Sequence, residues 1–374
     1  MRSQVWRHFD FWLLGAVVIL VIFGVIMIRS AVAGNIELTE TTPLVQRQII
    51  FAVVGLVVML VTAAIDYHLW SAVSRGLYIG IIVVLFALNV IGAALFGSAR
   101  WFQTALVNIQ PSEFSKIVLI IVLAHFFAQH ILQMNDPKWT IRSFLLTMGI
   151  TTWIILQPNL STSIVTLVVW FALLWLAGVP VKHLLAYALI GTIVLAVTFP
   201  ILIERGIIQE YQMNRVMTFL APPEDASYGD TYNIEQATIA IGSGGLFGQG
   251  YGLGSQVQNR FLKVRWSDFI FSATAHEFGL VGAMLVILLV LFIVWRCLYA
   301  ARIAQDPFGA FIAYGVATLI SFQAAVNIGV NLNMMPATGL TLPFLSYGGS
   351  SLVANLIAIG LVESVIMRHK ALEF

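Results

Sequence analysis

The stretch Thr338-Gly339-Leu340-Thr341-Leu342-Pro343-Phe344-Leu345-Ser346-Tyr347-Gly348-Gly349-Ser350-Ser351 sets glycine, proline and hydroxyl residues in the middle of apolar sequence. It lies inside 307–362, 56 residues without an Asp, Glu, Lys or Arg. As one helix that span would run ~84 Å at ~1.5 Å per residue, against a hydrocarbon core of ~30 Å. The Pro and Gly cluster therefore divides it into two membrane segments joined by a polar turn. Irregular backbone at that depth is tolerated where protein or a water-filled cavity covers it. The turn reads as a wall of a binding cavity.

The rest of the chain has the same character. Its 374 residues are 60% hydrophobic and 10% charged, with mean hydropathy +0.93, whereas soluble domains carry about 25% charged residues. Apolar runs near 9–28, 47–65, 76–97, 115–133, 143–157, 160–178, 183–203, 271–295, 308–330 and 351–367 predict ten spans. The fold class is all-α, a polytopic membrane protein in a single domain, 1–374, with one long extracytoplasmic loop at about 204–270. The first span is read as uncleaved, because its 18-residue uncharged run 11–28 exceeds a signal-peptide core. The lone Cys297 cannot form an internal disulfide, and with net charge +2 and no basic run the chain is no nucleic-acid binder.

Charge orients the bundle. With the N-terminus inside, the short inner segments hold ten Lys or Arg residues and the short outer loops only Arg29, Arg47 and Arg100. That asymmetry puts both termini in the cytoplasm. The long loop then lies outside and carries Gly242-Ser243-Gly244-Gly245-Leu246-Phe247-Gly248-Gln249-Gly250, preceded by a candidate amphipathic helix at 232–241 that contains Gln236.

Several motifs recur in one order: Arg100-Trp101, Gln110-Pro111-Ser112-Glu113-Phe114-Ser115-Lys116, Gln157-Pro158-Asn159-Leu160-Ser161-Thr162, Tyr211-Gln212-Met213-Asn214-Arg215, Ile241-Gly242-Ser243-Gly244-Gly245, Asp268-Phe269-Ile270-Phe271 and the 342–351 turn. Together they closely resemble the SEDS family (shape, elongation, division and sporulation), over essentially the whole chain. The segments 241–245 and 255–262 resemble its RodA branch more than its FtsW branch. The resemblance implies a bacterial plasma-membrane glycosyltransferase that polymerises lipid II into glycan strands during elongation. Its implied partners are a class B penicillin-binding protein and other elongation-complex proteins. A divalent cation, Mg²⁺ or Mn²⁺, is also implied as an aid to the pyrophosphate, with no ligand set legible in the residues. A lipid II flippase and an FtsW-type division polymerase are the competing readings.

Joining two lipid-linked sugars requires a hydroxyl to attack an anomeric carbon while pyrophosphate departs. Pyrophosphate leaves without a protonating acid, so one base and some cationic stabilisation suffice, unlike the carboxylate pair of most glycoside hydrolases. Asp268 is the candidate base. It precedes a span beside Trp266, Phe269 and Phe271, whose desolvation would raise its pKa above ~3.9; the competing role is a helix cap. The resemblance favours catalysis, because the matching Asp is the family's essential residue. Glu277, nine residues on, falls on the opposite helical face and reads as packing. Glu113 and Lys116, at i and i+3, are spaced to pair inside the membrane.

Arg100, Arg215, Lys263 and Arg265 are candidate pyrophosphate ligands, Arg being suited to bidentate contact, although loop cations are commonly only solvated. By resemblance, Trp101, Asn159, Gln236, Gly244, Gly245, Ser346, Gly348, Gly349 and Ser350 support the site. Three positions depart from the family pattern: Asn159 stands for Asp, Trp266-Ser267 for His-Thr, and His276 for Glu. The last of these predicts pH sensitivity near pH 6–7.

Overall fold

The computed structural model describes residues 6–33, 43–96, 100–103, 108–204, 213, 215, 217–219 and 230–369. In chain order its helices are α1 Phe11–Val32, α2 Leu44–Ala64, α3 Tyr67–Phe96, α4 Pro111–His130, α5 Pro137–Leu156, α6 Leu160–Leu176, α7 Val181–Glu204, α8 Asp230–Gly244, α9 Ile270–Ile303, α10 Pro307–Asn331 and α11 Gly349–Met367. A two-residue hairpin, β1 Phe102–Gln103 with β2 Asn108–Ile109, precedes α4. Among the described residues nine helices are long and apolar enough to cross a membrane, and α6, with 17 residues, is a tenth apolar helix. The ten expected spans are present, and α8 is the helix expected in the long loop.

Several helices begin before their apolar runs, and polar side chains cap some of the helices. Asp10 accepts from the Trp12 and Leu13 amides, Asp136 from Lys138 N and Asp306 from Gly309 N. Pro follows at the first helical position of α4, α5 and α10, where its missing N–H costs nothing. So α4 begins at Pro111 and holds Glu113 and Lys116 within the helix, while α3 begins at Tyr67 and takes in Arg75.

The uncharged 307–362 span forms the middle of the molecule. Its break falls between Asn331 and Gly349, as expected from the Pro and Gly cluster. α11 is buried along nearly its whole length and packs chiefly on α2, while α10 packs on α9, α4 and α6. A helix apolar on all faces belongs in an interior, and lack of charge here reflects burial in protein as well as in lipid. α7 lies at the periphery.

The long helix α9 is broken at Gly279, whose φ of 68° and ψ of −163° suit glycine alone. The glycine-rich loop after α8 repairs the break. Gln249 N and Gly250 N donate to the carbonyls of His276 and Glu277, while Leu280 N and Val281 N donate to Gly245 O and Leu246 O. A Cβ on Gly248 would lie 2.2 Å from Glu277 O, and one on Gly279 would lie 2.4 Å from Gly248 N. The two glycines make this backbone-to-backbone contact possible.

Candidate active site

A cavity of about 460 Å³ opens where the N-terminal ends of α2, α4, α6, α9 and α11 converge. Its walls include Arg47 and Phe51 of α2, Trp101 and Asn108 of the hairpin segment, Glu113, Asn159, Thr162, the 266–268 segment, Gly339–Thr341 and Tyr347–Ser351. The 338–351 turn is thus a cavity wall.

Asp268 sits on a backbone held from two sides. Tyr347 N donates to Trp266 O at 2.8 Å, and Ser346 Oγ donates to Ser267 O at 2.8 Å. From α10, Asn327 Nδ2 and Asn331 Nδ2 donate to the Asp268 carbonyl at 3.1 and 2.9 Å. Asn331 Oδ1 in turn accepts from Ser272 N and Ser272 Oγ, at 3.0 and 2.6 Å. The carboxylate accepts from Ser267 Oγ at 3.0 Å. The cap position of α9 belongs to Phe269, so Asp268 is not the helix cap. Arg215 converges on the same spot: a Cβ on Gly339 would stand 3.6 Å from Arg215 Nη1 and 3.9 Å from Asp268 Oδ2.

Behind the opposite wall Lys116 Nζ donates to Glu113 Oε2 at 2.7 Å, with both side chains buried. Ser350 Oγ accepts from Gln110 N at 2.9 Å and ties the hairpin segment to α11. Gln48 Nε2 donates to Ser346 O, and its Oε1 accepts from Gly348 N. Arg47 hydrogen-bonds the Tyr347 phenol, which burial pushes above its ordinary pKa while Arg47 draws it partly back.

The profile of the FtsW/RodA/SpoVE family, described as "Cell cycle protein", matches residues 11–371. The chain belongs to this family, the SEDS family. A Geobacter metallireducens protein named "Probable peptidoglycan glycosyltransferase FtsW" is 33% identical over 369 residues, 97% of this chain and 96% of its own. A Caulobacter vibrioides protein of the same name is 34% identical, over 97% of this chain and 90% of its own. Among solved structures, Thermus thermophilus rod shape determining protein RodA has a TM-score of 0.70 at 27% identity, covering 98% of this chain and 99% of that one. A chain from a structure titled "Structural coordination of polymerization and crosslinking by a peptidoglycan synthase complex" reaches 0.77 at 26% identity, covering 96% and 98%. The relatives carry the division name and the structures include a RodA, so the comparisons establish the family without choosing a branch.

Within this SEDS chain Asp268, Glu113, Trp101, Asn159, Gly348, Gly349 and Ser350 line the cavity, with Lys116 behind Glu113, Ser346 beneath Asp268 and Arg215 beside it. The other expected site residues lie elsewhere in the structure. Arg100 points its Nε and Nη2 at the carbonyls of Gln157 and Pro158, 2.8 and 2.6 Å away, and so shapes the turn before α6. Lys263 is exposed over the Tyr232 ring. Arg265 is buried against Trp266 and Leu262 O, where burial, followed by Arg260, brings it down to about 10. Neither lines the cavity. Gly244 and Gly245 serve the α9 contact: a Cβ on Gly244 would meet Ala275 O at 2.0 Å. Gln236 lies on α8 and also stays off the lining. Tyr211, Gln212 and Asn214 of the loop motif lie outside the described residues.

The family departures have local explanations. Asn159 caps α6 through Thr162 N at 3.3 Å and donates to Ser112 Oγ at 3.3 Å, a donation that Asp could not make. His276 is buried away from the cavity, its Nε2 accepting from Gln256 N and its Nδ1 donating to Ala240 O. It fastens loop to helix and does not face substrate. Glu277 turns towards α1, where its Oε1 accepts from Ser30 Oγ at 2.5 Å, so its packing role holds.

Sequence reasoning missed Arg47, Asn327, Asn331 and Tyr347. Arg47 is the one Lys or Arg among the described lining residues. Its signal was present, a cation at the start of a span in a chain poor in outer positive charge. The two asparagines, at i and i+4 in an apolar helix, were also a visible polar stripe.

Proposed function

We propose that the protein is a peptidoglycan glycosyltransferase that polymerises lipid II, with Asp268 as general base. The observation that carries this is an aspartate held rigidly on the wall of an intramembrane-rim cavity, with Arg47 also in that wall and five helix N-termini around it. Helix N-termini favour anions. The donor pyrophosphate therefore seats toward Arg47 and the acceptor hydroxyl toward Asp268. The acceptor oxygen bonds to the donor's anomeric carbon as the carbon–oxygen bond to pyrophosphate breaks. The electron pair leaves with the pyrophosphate, the hydroxyl proton goes to Asp268, and the carbon inverts. Arg215 balances the charge of Asp268 before transfer.

Among the described residues no group of three His, Cys, Asp or Glu could hold a metal. Asp268 would hold a divalent cation at this cavity, and the cation would offset the charge of the departing pyrophosphate.

The names of the relatives favour a division role, and the resemblance of 241–245 and 255–262 favours elongation. Those two segments serve the α9 junction and lie outside the cavity, so either role uses the same chemistry. A crosslinking transpeptidase of the class B penicillin-binding type is the proposed partner. The flippase reading finds less support, since the 332–348 break is pinned to the 266–268 segment.

The decisive experiment is polymerisation of purified lipid II by the purified protein and by Asp268→Asn. Asn keeps the shape and loses the proton acceptor, so polymer formation should fall ~10²–10⁴-fold, the usual contribution of a general base, with an unchanged melting temperature. Near-normal polymer from the variant rejects the base assignment.

A further inference from the structure

A second cavity, of about 380 Å³, lies between α3, α4 and α5 and shares no lining residue with the first. Ser74, Arg75, His125, Gln129 and His130 form its polar side, and Ile79, Val122, Phe126 and Leu146 its apolar side, with no acid in the lining. Arg75 is exposed and makes no hydrogen bond or ion pair among the described residues, although it lies within a candidate membrane span. His125 is oriented by a 2.8 Å contact of Nδ1 with Ser71 Oγ. His130 is oriented by Nδ1 donating to Phe126 O at 2.8 Å, with its ring stacked on Trp139. Arg142 also lies over the Trp139 ring, 4.6 Å from its centre.

The cavity sits at the end of α4 and the beginning of α3 and α5, the inner end of the bundle by the charge count. A cation within a membrane helix is costly and normally has a partner, and none of the described residues hydrogen-bonds or ion-pairs with Arg75. At that level the available anion is a phospholipid phosphate. Basic pockets between membrane helices on the cytoplasmic side suit anionic head groups. The apolar side of the cavity, continuing onto the exposed Ile79 and Val83 of α3, suits the acyl chains. We propose that the α3–α4–α5 cleft binds an anionic phospholipid of the inner leaflet, its phosphate on Arg75 with His125 and its acyl chain along Ile79 and Phe126. A free phosphate would match the cation but make no use of that apolar side.

The test is native mass spectrometry of the purified full-length protein with phosphatidylglycerol and with phosphatidylcholine. The wild type should retain phosphatidylglycerol preferentially, and Arg75→Gln should weaken that retention about fivefold, the usual effect of one basic residue near a membrane surface. Arg75→Lys should keep the preference. Arg75 makes no hydrogen bond or ion pair among the described residues, so Arg75→Gln should keep the wild-type melting temperature. Equal retention of both lipids by the wild type overturns the proposal, as does unchanged retention by Arg75→Gln. Displacement of phosphatidylglycerol by millimolar inorganic phosphate would identify a free-anion site and overturn the lipid assignment.

Discussion

Glu113 and Lys116 are both almost wholly buried and 2.7 Å apart. Removing one partner strands a buried charge, a loss of ~3–5 kcal/mol, whereas removing both leaves none. Glu113→Gln and Lys116→Met should each lower stability and polymerisation, and the double variant should recover much of the loss. Thermal melts in a double-mutant cycle measure this; additive effects would mean the pair is not coupled. At the same scale two adjacent glycines separate. A Cβ on Gly349 would lie 2.3 Å from the Phe51 ring, whereas on Gly348 it would meet only ordinary contacts at 3.4 and 3.6 Å. The φ of Gly348, 169°, is extended backbone open to any residue. Gly349→Ala should therefore impair polymerisation strongly, by pushing Phe51 into the cavity, and Gly348→Ala only mildly. Equal activity of the two variants would remove the steric account. Ser351 lies inside α11 and meets Thr341 Oγ1 at 2.8 Å.

At the scale of elements, the α9 break and the glycine loop are one structure made of two distant segments. The loop's amides and carbonyls take the place of helical partners lost at Gly279. Gly279→Ala forces a side chain into glycine-only backbone, at a cost of ~1–3 kcal/mol, and into Gly248 as well. It should lower the melting temperature or prevent accumulation in the membrane. Gly242→Ala is the matched control, since its Cβ meets nothing within 4 Å. It should leave stability unchanged or slightly raised, as expected for Gly to Ala in a helix. Comparable losses in both variants would show that the loop's glycines act otherwise than through this contact. The glycine motif was visible in the sequence, but its purpose was not, because the break it fills lies some thirty residues further along the chain.

For the whole molecule, alternating spans place the beginnings of α2, α4, α6, α9 and α11 at one end, and packing draws them around one cavity. The charge count predicts that this end is the outer one. Because Cys297 is buried, single cysteines can report on this. Leu253→Cys should react with a membrane-impermeant maleimide applied from outside, and Gln133→Cys only after permeabilisation; the reverse pattern would invert the orientation. Membrane class, number of spans, the break in 307–362 and the pairing of Glu113 with Lys116 were all legible in the chain. Each is local: hydropathy, Pro and Gly punctuation, and i, i+3 spacing act within one helix or turn. The ordered motifs also picked out Asp268. Only the tertiary structure decided which arginine faces the cavity. The Arg100 guanidinium went to the carbonyls of Gln157 and Pro158, and Arg47, a cation at the start of a span, came to line the wall. The same holds for Asn327 and Asn331, which clamp the Asp268 carbonyl from 59 and 63 residues away. Hydrogen-bond partners at such separations are set by how helices pack, and packing depends on the shapes of all the buried side chains together.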